Sequence, residues 1–557
     1  MDALAKLQLH TNFGDADWGI TVVFLVVSTL LGMWAMRYIR DMEDYVVAGR
    51  SVRTYLGVAS MIATELGLVT VMYSAQKGFT CAFAAFAIAV LAAAAGLIVG
   101  LTGFIVVPLR HHGVMTIPEF YEVRFSKGVR VTGAIILAAS GILNMGMFLK
   151  ADSIFVTSVM GMHQEGQLKI AMTIILALVL LYTMLGGMIS VVLTDYLQYV
   201  VMSIGLVVTS ILLMQHFGWS DLVSAVSELK GEAGFNPLMK ESGLGPTYLV
   251  WMLFLGFISA CVWQTSVMRA TSAESEKVVR RTYLWGSVGF LVRFLIPYFW
   301  GIVGLAYVAG HPALREIFLP ETGSADSSLQ LRAMPIALAN LLPAGFIGLL
   351  TAGMLAAAMS TYNTYLHTWS AVITQDVIAP LMGGHVAAKT RINIARSIMM
   401  LVAVFLLVWG LWYPLSEDLW DYMAVTGAIY FTGAFATLVG GGLLEARQQG
   451  GRLRGLHLRL LHHPGPEAGA AGIRCELAQR SRRACSGRDR VRCHVCPFIA
   501  VPGRPEGGGV VHAGLLGLTV GCDLVRRADH LCAALRVRHH LRRLRPPGAA
   551  FIAEDPS

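Results

Sequence analysis

The sequence predicts an all-α membrane protein with about 11 transmembrane helices and a 5+5 inverted-repeat core. Composition is the first reason: 55% of the 557 residues are hydrophobic and 14% are charged, whereas soluble proteins carry roughly 25% charged residues. The second reason is that the apolar residues form runs of about twenty, the length that crosses a hydrocarbon core of ~30 Å. The third is the alternation of basic loops between these runs, which indicates their direction.

Eleven apolar runs are expected to cross the membrane. They cover residues 19–38, 54–79, 82–108, 131–160, 168–187, 190–214, 247–270, 283–309, 344–375, 392–413 and 420–444. The loops after the first, third, seventh and ninth runs are rich in Lys and Arg, and Arg269 is counted with the loop after the seventh. Since cytoplasmic loops carry the excess of basic residues, we expect the N-terminus outside the cell and the end of the last run inside.

The order of the runs divides the chain into segments. The second to sixth runs and the seventh to eleventh form two sets of five, and each set opens with an interrupted helix. Because five is odd, the sets have opposite orientations, which is typical of an inverted-repeat transporter. The segments are an outer N-terminus with the first helix and an inner loop (1–53), the first repeat (54–214), an extracellular loop (215–246), the second repeat (247–444) and a tail (445–557).

Polar residues near the middle of the second and seventh runs mark the candidate site. Glu65 and Gly67 interrupt the second run, and Trp263 and Gln264 interrupt the seventh. Ionisable residues inside a membrane are energetically unfavourable and are functional by default, so we expect Glu65 to act in binding. The alternative is that Glu65 pairs with a neighbouring helix, and that small residues in these runs only allow close packing.

Hydroxyl groups in the ninth run predict a path for a cation. Ala357, Ser360 and Thr361 are spaced i, i+3 and i+4, so they share one helix face. A carbonyl and two hydroxyls on that face offer hard oxygen ligands to an alkali cation. The alternative is that the hydroxyls bond back to carbonyls one turn earlier in the same helix. Because Thr364 and His367 continue the polar stripe, we favour a hydrated path.

Six ordered motifs resemble those of the sodium:solute symporter family, whose core has the fold first associated with bacterial leucine transporters. The most specific is Gly186–Gln198. The others are Asp44–Arg50, Ser60–Gly67, Ile117–Phe125, Gln264 followed by Arg269, and Ala356–Thr361 with Gln375 and Asp376. The resemblance covers roughly residues 18–444. It implies a sodium-coupled symporter that imports a small organic solute by alternating access.

The resemblance also implies which residues bind sodium. The shared Na⁺ site would use the carbonyls of Ala63, Leu66 and Ala357 and the hydroxyls of Ser360 and Thr361. Some members hold a second Na⁺ with residues that match Asp195, Ser360 and Thr364. Asn363 stands where those members have a serine, which puts a second Na⁺ in doubt.

The solute would lie beside the sodium ion, between the two interruptions. The residues expected to contact it are Glu65, Gly67, Trp263 and Gln264. Glu65 is suited to bind a substrate amine, and titration of its carboxylate would permit proton coupling instead of sodium coupling. We expect a multi-pass protein of the cell membrane, in a bacterium the inner membrane. Its partners there are lipid and a small-molecule solute, and no nucleic acid is expected.

The tail differs from the rest of the chain. Residues 445–557 contain 19 Arg, no Lys and six of the eight Cys. This abrupt change indicates a GC-rich gene read in the wrong frame after about residue 445, a hypothesis that sequencing the gene and its transcript would test. Two functional interpretations compete with it: Cys493-His494-Val495-Cys496 as half a zinc site, and a basic tail attracted to anionic lipid.

Three other functions compete with symport. A solute sensor would carry a signalling domain after the membrane core, and none is legible in the sequence. An ion channel would need no pair of broken helices. A membrane enzyme would need a motif such as HExxH or a nucleophile elbow, and neither is found, so we expect no enzymatic activity.

Overall fold

The computed structural model describes residues 11–35, 37, 42–162, 164–320, 326–383, 386–413 and 418–461. Within these ranges the chain is almost entirely helical, and the only β pairing is one isolated bridge between Val52 and Ala273. The all-α class is therefore confirmed. The predicted tail motif Cys493-His494-Val495-Cys496 lies outside the described residues.

The main helices are numbered in chain order. They are α1 (Asp15–Ala35), α2 (Thr54–Glu65), α3 (Leu68–Cys81), α4 (Phe86–Thr102), α5 (Lys127–Met145), α6 (Phe148–Val159), α7 (Glu165–His216), α8 (Gly245–Val262), α9 (Gln264–Ser272), α10 (Glu276–Ala309), α11 (Phe346–Val372), α12 (Ala388–Trp412) and α13 (Leu419–Leu461). Shorter helices connect them at Met42–Val47, Val106–His111, Ile117–Arg124, Trp219–Lys230, Pro312–Phe318 and Ser327–Leu341. A π-helical segment, Ile373–Ile378, follows α11.

Nine helices in the described ranges are long and apolar enough to cross a membrane. Two predicted runs are missing from that count for identifiable reasons. The second run is divided into α2 and α3, and α3 is counted together with α4 as Leu68–Thr102. The fifth run lies in the first part of α7, where Gly166–Ala177 counts only as a shorter apolar helix.

Helix α7 differs from the expectation of two separate runs. The sequence predicts a break between 168–187 and 190–214, but the structure assigns one helix of 52 residues. At 1.5 Å per residue a straight helix of that length would measure about 78 Å, far more than one bilayer crossing. Gly186 and Gly187 do not end this helix, because glycine also adopts helical backbone angles.

Both predicted interruptions are confirmed. α2 ends at Glu65, and Leu66 (φ −95°, ψ 57°) and Gly67 (φ −70°, ψ 160°) leave the helical region before α3 begins. α8 ends at Val262, and Trp263 (φ −75°, ψ 120°) separates it from α9. Irregular backbone at membrane depth is tolerated only where protein covers it or where it lines a cavity. The surroundings of the two breaks are therefore the place to look for a buried site or a cavity.

Helix α11 lies in the interior of the protein. Every residue from Leu350 to Val372 is buried, and the helix packs against α1, α2 and α7. Its hydroxyl and amide side chains must therefore find partners inside the bundle, because lipid and bulk water do not reach them. Residues up to Ala436 belong to one compact unit, and a second unit begins at Thr437.

Candidate functional site: a cavity and two buried ion pairs at the helix breaks

A cavity of about 140 Å³ lies beside the break in α2. Both broken helices reach it, since Glu65 ends α2 and Trp263 and Ser266 lie at the start of α9. Arg293 of α10 lines it as well. Much of the remaining wall is aromatic and comes from Tyr73, Phe290, Phe294, Tyr365, Trp420 and Phe431.

An ion pair between Glu65 and Arg293 forms the charged part of this cavity. Arg293 Nη1 donates to Glu65 Oε2 at 2.6 Å and to the Glu65 main-chain carbonyl at 3.0 Å. Ser266 Oγ donates to the other carboxylate oxygen at 2.7 Å. The guanidinium also lies over the rings of Phe290 and Phe294, 4.7 and 4.5 Å from their centroids. Because the opposite charges are in contact, they largely cancel within the cavity.

Trp263 forms a rigid aromatic wall at the second break. Its indole Nε1 donates to Tyr365 Oη at 3.0 Å. Its ring also packs edge-on against Trp369 and Phe431, with centroid distances of 5.3 and 5.1 Å. Edge-to-face contacts of this kind add to the stability gained by burial, so the orientation of the indole is fixed before any solute enters.

Two residues expected to contact the solute lie elsewhere. Gly67 does not line the cavity; it packs against α11, where a Cβ on residue 67 would collide with the Thr361 hydroxyl. Gln264 is fully buried, and its Oε1 accepts a hydrogen bond from the Ile117 main-chain nitrogen at 3.0 Å. Of the four residues predicted to contact the solute, Glu65 and Trp263 line the cavity, whereas Gly67 and Gln264 do not.

The two helix segments predicted to hold sodium contact each other where α11 crosses the break in α2. Thr361 Oγ1 donates a hydrogen bond to either of two carbonyls, that of Ala357 one turn earlier at 3.0 Å and that of Thr64 in α2 at 3.2 Å. Ala63, Leu66 and Ser360, which are close to Thr64 and Thr361 in sequence, are buried as well. The hydroxyl therefore does bond back within its own helix, as the alternative expectation held, but it also connects α11 to α2.

Asp195 of α7 is the centre of a second polar cluster. Ser60 Oγ donates to its Oδ2 at 2.5 Å, and Ser360 Oγ donates to its Oδ1 at 2.6 Å. Arg269 Nη2 lies 3.2 Å from Oδ2. Asp195 is 0% exposed and Arg269 2% exposed, so this ion pair is removed from water altogether.

The remaining residues predicted for a second sodium lie around the same arginine. Thr364 Oγ1 accepts from Arg269 Nη2 at 2.7 Å. Asn363 is directed elsewhere, since its Nδ2 donates to Thr194 Oγ1 at 3.5 Å. Asp195, Ser360 and Thr364 are thus brought together as the resemblance implies, whereas Asn363 does not join them.

The two arginines are the site residues that the sequence did not assign. Arg269 was expected in a cytoplasmic loop, but it lies buried within α9 because Asp195 provides its counter-charge. Arg293 lies in the eighth apolar run, 283–309, and pairs with Glu65. A usable signal was present, because an intramembrane carboxylate needs a partner and Arg269 and Arg293 are among the basic residues in the apolar runs.

Comparison with known proteins identifies the kind of molecule that carries this site. The sequence model of the sodium:solute symporter family matches residues 45–445. The chain belongs to that family. It is therefore a multi-pass membrane transporter rather than an enzyme, and sodium is its coupling ion. The family assignment made from the six motifs is confirmed.

Relatives with different solutes share the membrane core. The chain is 23% identical over 427 residues to the sodium/sialic acid symporter SiaT of Proteus mirabilis. The aligned region covers 74% of this chain and 82% of that one. It is 24% identical over 448 residues to the human sodium/iodide cotransporter, covering 78% of this chain and 63% of that one. A solved structure of a Na⁺-coupled sialic acid symporter, in a substrate-bound outward-open state, superposes with a TM-score of 0.65 at 19% identity, over 77% of this chain and 87% of that one. That similarity establishes the fold.

Proposed function

We propose that the protein imports a small organic solute together with sodium by alternating access. The observation that carries the proposal is the contact between the broken helix α2 and the hydroxyl-bearing helix α11, beside a cavity that both broken helices reach. A ligand can shift a conformational equilibrium only through its difference in affinity between the two states. Sodium and solute bound on either side of the break would both favour one facing direction.

The sodium ion is proposed to bind at the predicted set: the carbonyls of Ala63, Leu66 and Ala357 and the hydroxyls of Ser360 and Thr361. Two features support this. The Thr361 hydroxyl lies within hydrogen-bond distance of a carbonyl of each helix. The Ser360 hydroxyl donates its hydrogen bond to Asp195, so its oxygen lone pairs remain available to a cation. Entry of one positive charge into a negative interior adds ~2.3 kcal/mol of driving force per 100 mV.

The solute is proposed to carry no net charge. Glu65 and Arg293 neutralise each other at 2.6 Å, so an anion would meet the carboxylate and a cation would meet the guanidinium. The aromatic walls suit the apolar face of a small ring, and the paired charges suit its hydroxyl or amide groups. A neutral cavity of this kind does not suit an acidic or anionic solute, such as the sialic acid and the iodide named for two relatives.

The first test is the effect of sodium on the stability of the purified protein. The melting temperature should rise in NaCl relative to choline chloride, and Ser360→Ala with Thr361→Ala should remove the rise. A matched control is Thr351→Ala with Ser370→Ala in the same helix, whose hydroxyls bond only to their own helix backbone at 2.8 and 2.9 Å. Loss of the sodium response in the control variant too, or no response in the wild type, would overturn the proposed site.

The second test identifies the solute. Neutral sugars, zwitterions, anions and amines are screened in NaCl for a further rise in melting temperature, and hits are tested for sodium-driven uptake into liposomes. A neutral solute should appear in sodium but not in choline. If only anions stabilise the protein, the proposed neutral cavity is wrong although symport itself would stand.

A further inference from the structure

The cluster around Asp195 has the composition of a cation site. A carboxylate removed from water is strongly unfavourable unless a positive charge and hydrogen-bond donors accompany it. Four hydroxyls from two helices, α2 and α11, surround the position next to it, those of Ser60, Thr64, Ser360 and Thr364. In an apolar bundle such a set of oxygens attracts a cation, and the question is which cation it holds.

The cation on these oxygens is the guanidinium of Arg269. Its Nη2 contacts Asp195 Oδ2 at 3.2 Å and donates to the hydroxyls of Thr64 and Thr364, the latter at 2.7 Å. Its Nε donates to Ser60 Oγ at 3.3 Å, and its Nη1 donates to the carbonyl of Thr265 at 3.1 Å. All three nitrogens therefore have acceptors, which is the condition under which a buried ion pair is retained.

The same contacts leave no place for a sodium ion beside Asp195. A small cation would need the oxygens of Asp195 and Thr364 that Arg269 occupies. The amide nitrogen of Asn363 donates to Thr194, so that side chain does not supply the missing oxygen either. The residues therefore do not fit a second sodium, although Asp195, Ser360 and Thr364 are those that would hold it.

We propose that Arg269 is a tethered cation that fills the Asp195 site, and that the protein consequently moves a single sodium ion per transport cycle. The proposal rests on the sodium symport proposed above. It also gives Asp195 a positioning role: by accepting a hydrogen bond from Ser360 Oγ at 2.6 Å, it turns the Ser360 lone pairs toward the neighbouring sodium position. The tethered charge is permanent, whereas an exchangeable second ion would make the coupling depend more steeply on sodium.

The test compares sodium-dependent melting of the full-length wild type, Arg269→Gln and Asp195→Asn/Arg269→Gln in detergent. The wild type should show one saturable rise with NaCl. Arg269→Gln should melt lower in choline and regain stability through a second rise at a different NaCl concentration, since sodium can now neutralise Asp195. The Asp195→Asn/Arg269→Gln variant should lose that second rise and keep the first.

The matched control is Arg332→Gln. Arg332 is also 2% exposed and donates to Ser158 Oγ at 3.0 Å, but no carboxylate pairs with it among the described ion pairs. Its loss should lower the melting temperature without creating a new sodium response. A second sodium-dependent rise in this control would show that the effect is unspecific and would overturn the proposal.

A flux measurement gives the number of sodium ions moved per solute even if Arg269→Gln does not fold. Wild-type protein in liposomes is held at a series of membrane potentials and sodium gradients, and the gradient that stops net solute flux gives the number of sodium ions per solute. One ion supports the tethered cation, and two ions overturn it. If the wild type shows no sodium dependence at all, the proposed symport fails rather than the role of Arg269.

Discussion

The two ion pairs at the helix breaks have the same chemistry and different surroundings. The side chains of Glu65 and Arg293 are 15% and 14% exposed, and both line the cavity. The side chains of Asp195 and Arg269 are 0% and 1% exposed, and hydroxyl groups surround them. In the proposed function, the first pair exchanges partners with an entering solute, whereas the second is enclosed. Exposure, rather than charge, distinguishes the two pairs.

The position of each pair along the breaks agrees with this division. Glu65 is the last helical residue of α2, so its carboxylate extends from the break itself. Asp195 lies within the continuous helix α7 and reaches both broken helices through Ser60 and Arg269. The cavity pair therefore joins the end of α2 to α10, and the buried pair holds the two broken helices to α7.

The largest effect is expected from removing one member of the buried pair. Asp195→Asn should destabilise the protein by about 3–5 kcal/mol, because Arg269 is left as an unpaired buried charge. Asp195→Asn/Arg269→Gln should regain most of that loss, since no buried charge remains. Thermal unfolding of the single and double variants in choline chloride measures the coupling. Equal stability of the single and the double variants would remove the argument for a structural pair.

A smaller effect on stability, and a larger one on binding, is expected at the cavity pair. Glu65→Gln should lower stability by about 1–3 kcal/mol, since Arg293 loses a charged partner but keeps contact with the cavity. The cavity becomes positive, so the variant should bind small anions that the wild type rejects. Competition by anions in a solute-binding assay measures this change. The control is Glu65→Gln/Arg293→Gln, in which the preference for neutral solutes should return.

Much of the fold follows from the sequence, because the bilayer imposes strong rules on it. Apolar length predicted the helices, and Glu65 with Gly67, or Trp263 with Gln264, predicted the breaks that the structure confirms. The division of α7 was not correctly predicted, since a glycine pair is compatible with both a turn and a helix. Backbone preference alone does not separate the two.

Less of the site could be read from the sequence, because the partner of each charge depends on packing between distant segments. Arg269 and Asp195 are 74 residues apart, and Arg293 and Glu65 are 228 apart. Loop counting assigned Arg269 to the cytoplasm because its neighbours in sequence are basic. Only the three-dimensional arrangement reveals that Gln264 bonds to a connecting helix through Ile117 rather than to the cavity.

The smallest expected effects compare the two serines that donate to the two carboxylates. Ser60 donates to Asp195 at 2.5 Å, and Ser266 donates to Glu65 at 2.7 Å. Each substitution by alanine removes one hydrogen bond but leaves the ion pair in place, so the loss is about 1.5 kcal/mol, the low end for a hydrogen bond to a charged group. Ser60→Ala should express this loss as a lower melting temperature, because water cannot replace the donor. Ser266→Ala should melt close to the wild type, because water in the cavity takes the place of the hydroxyl, and should instead bind solute about tenfold more weakly. If both variants lose stability equally, the two ion pairs are equally structural, and the cavity must bind its solute through the aromatic wall around Trp263.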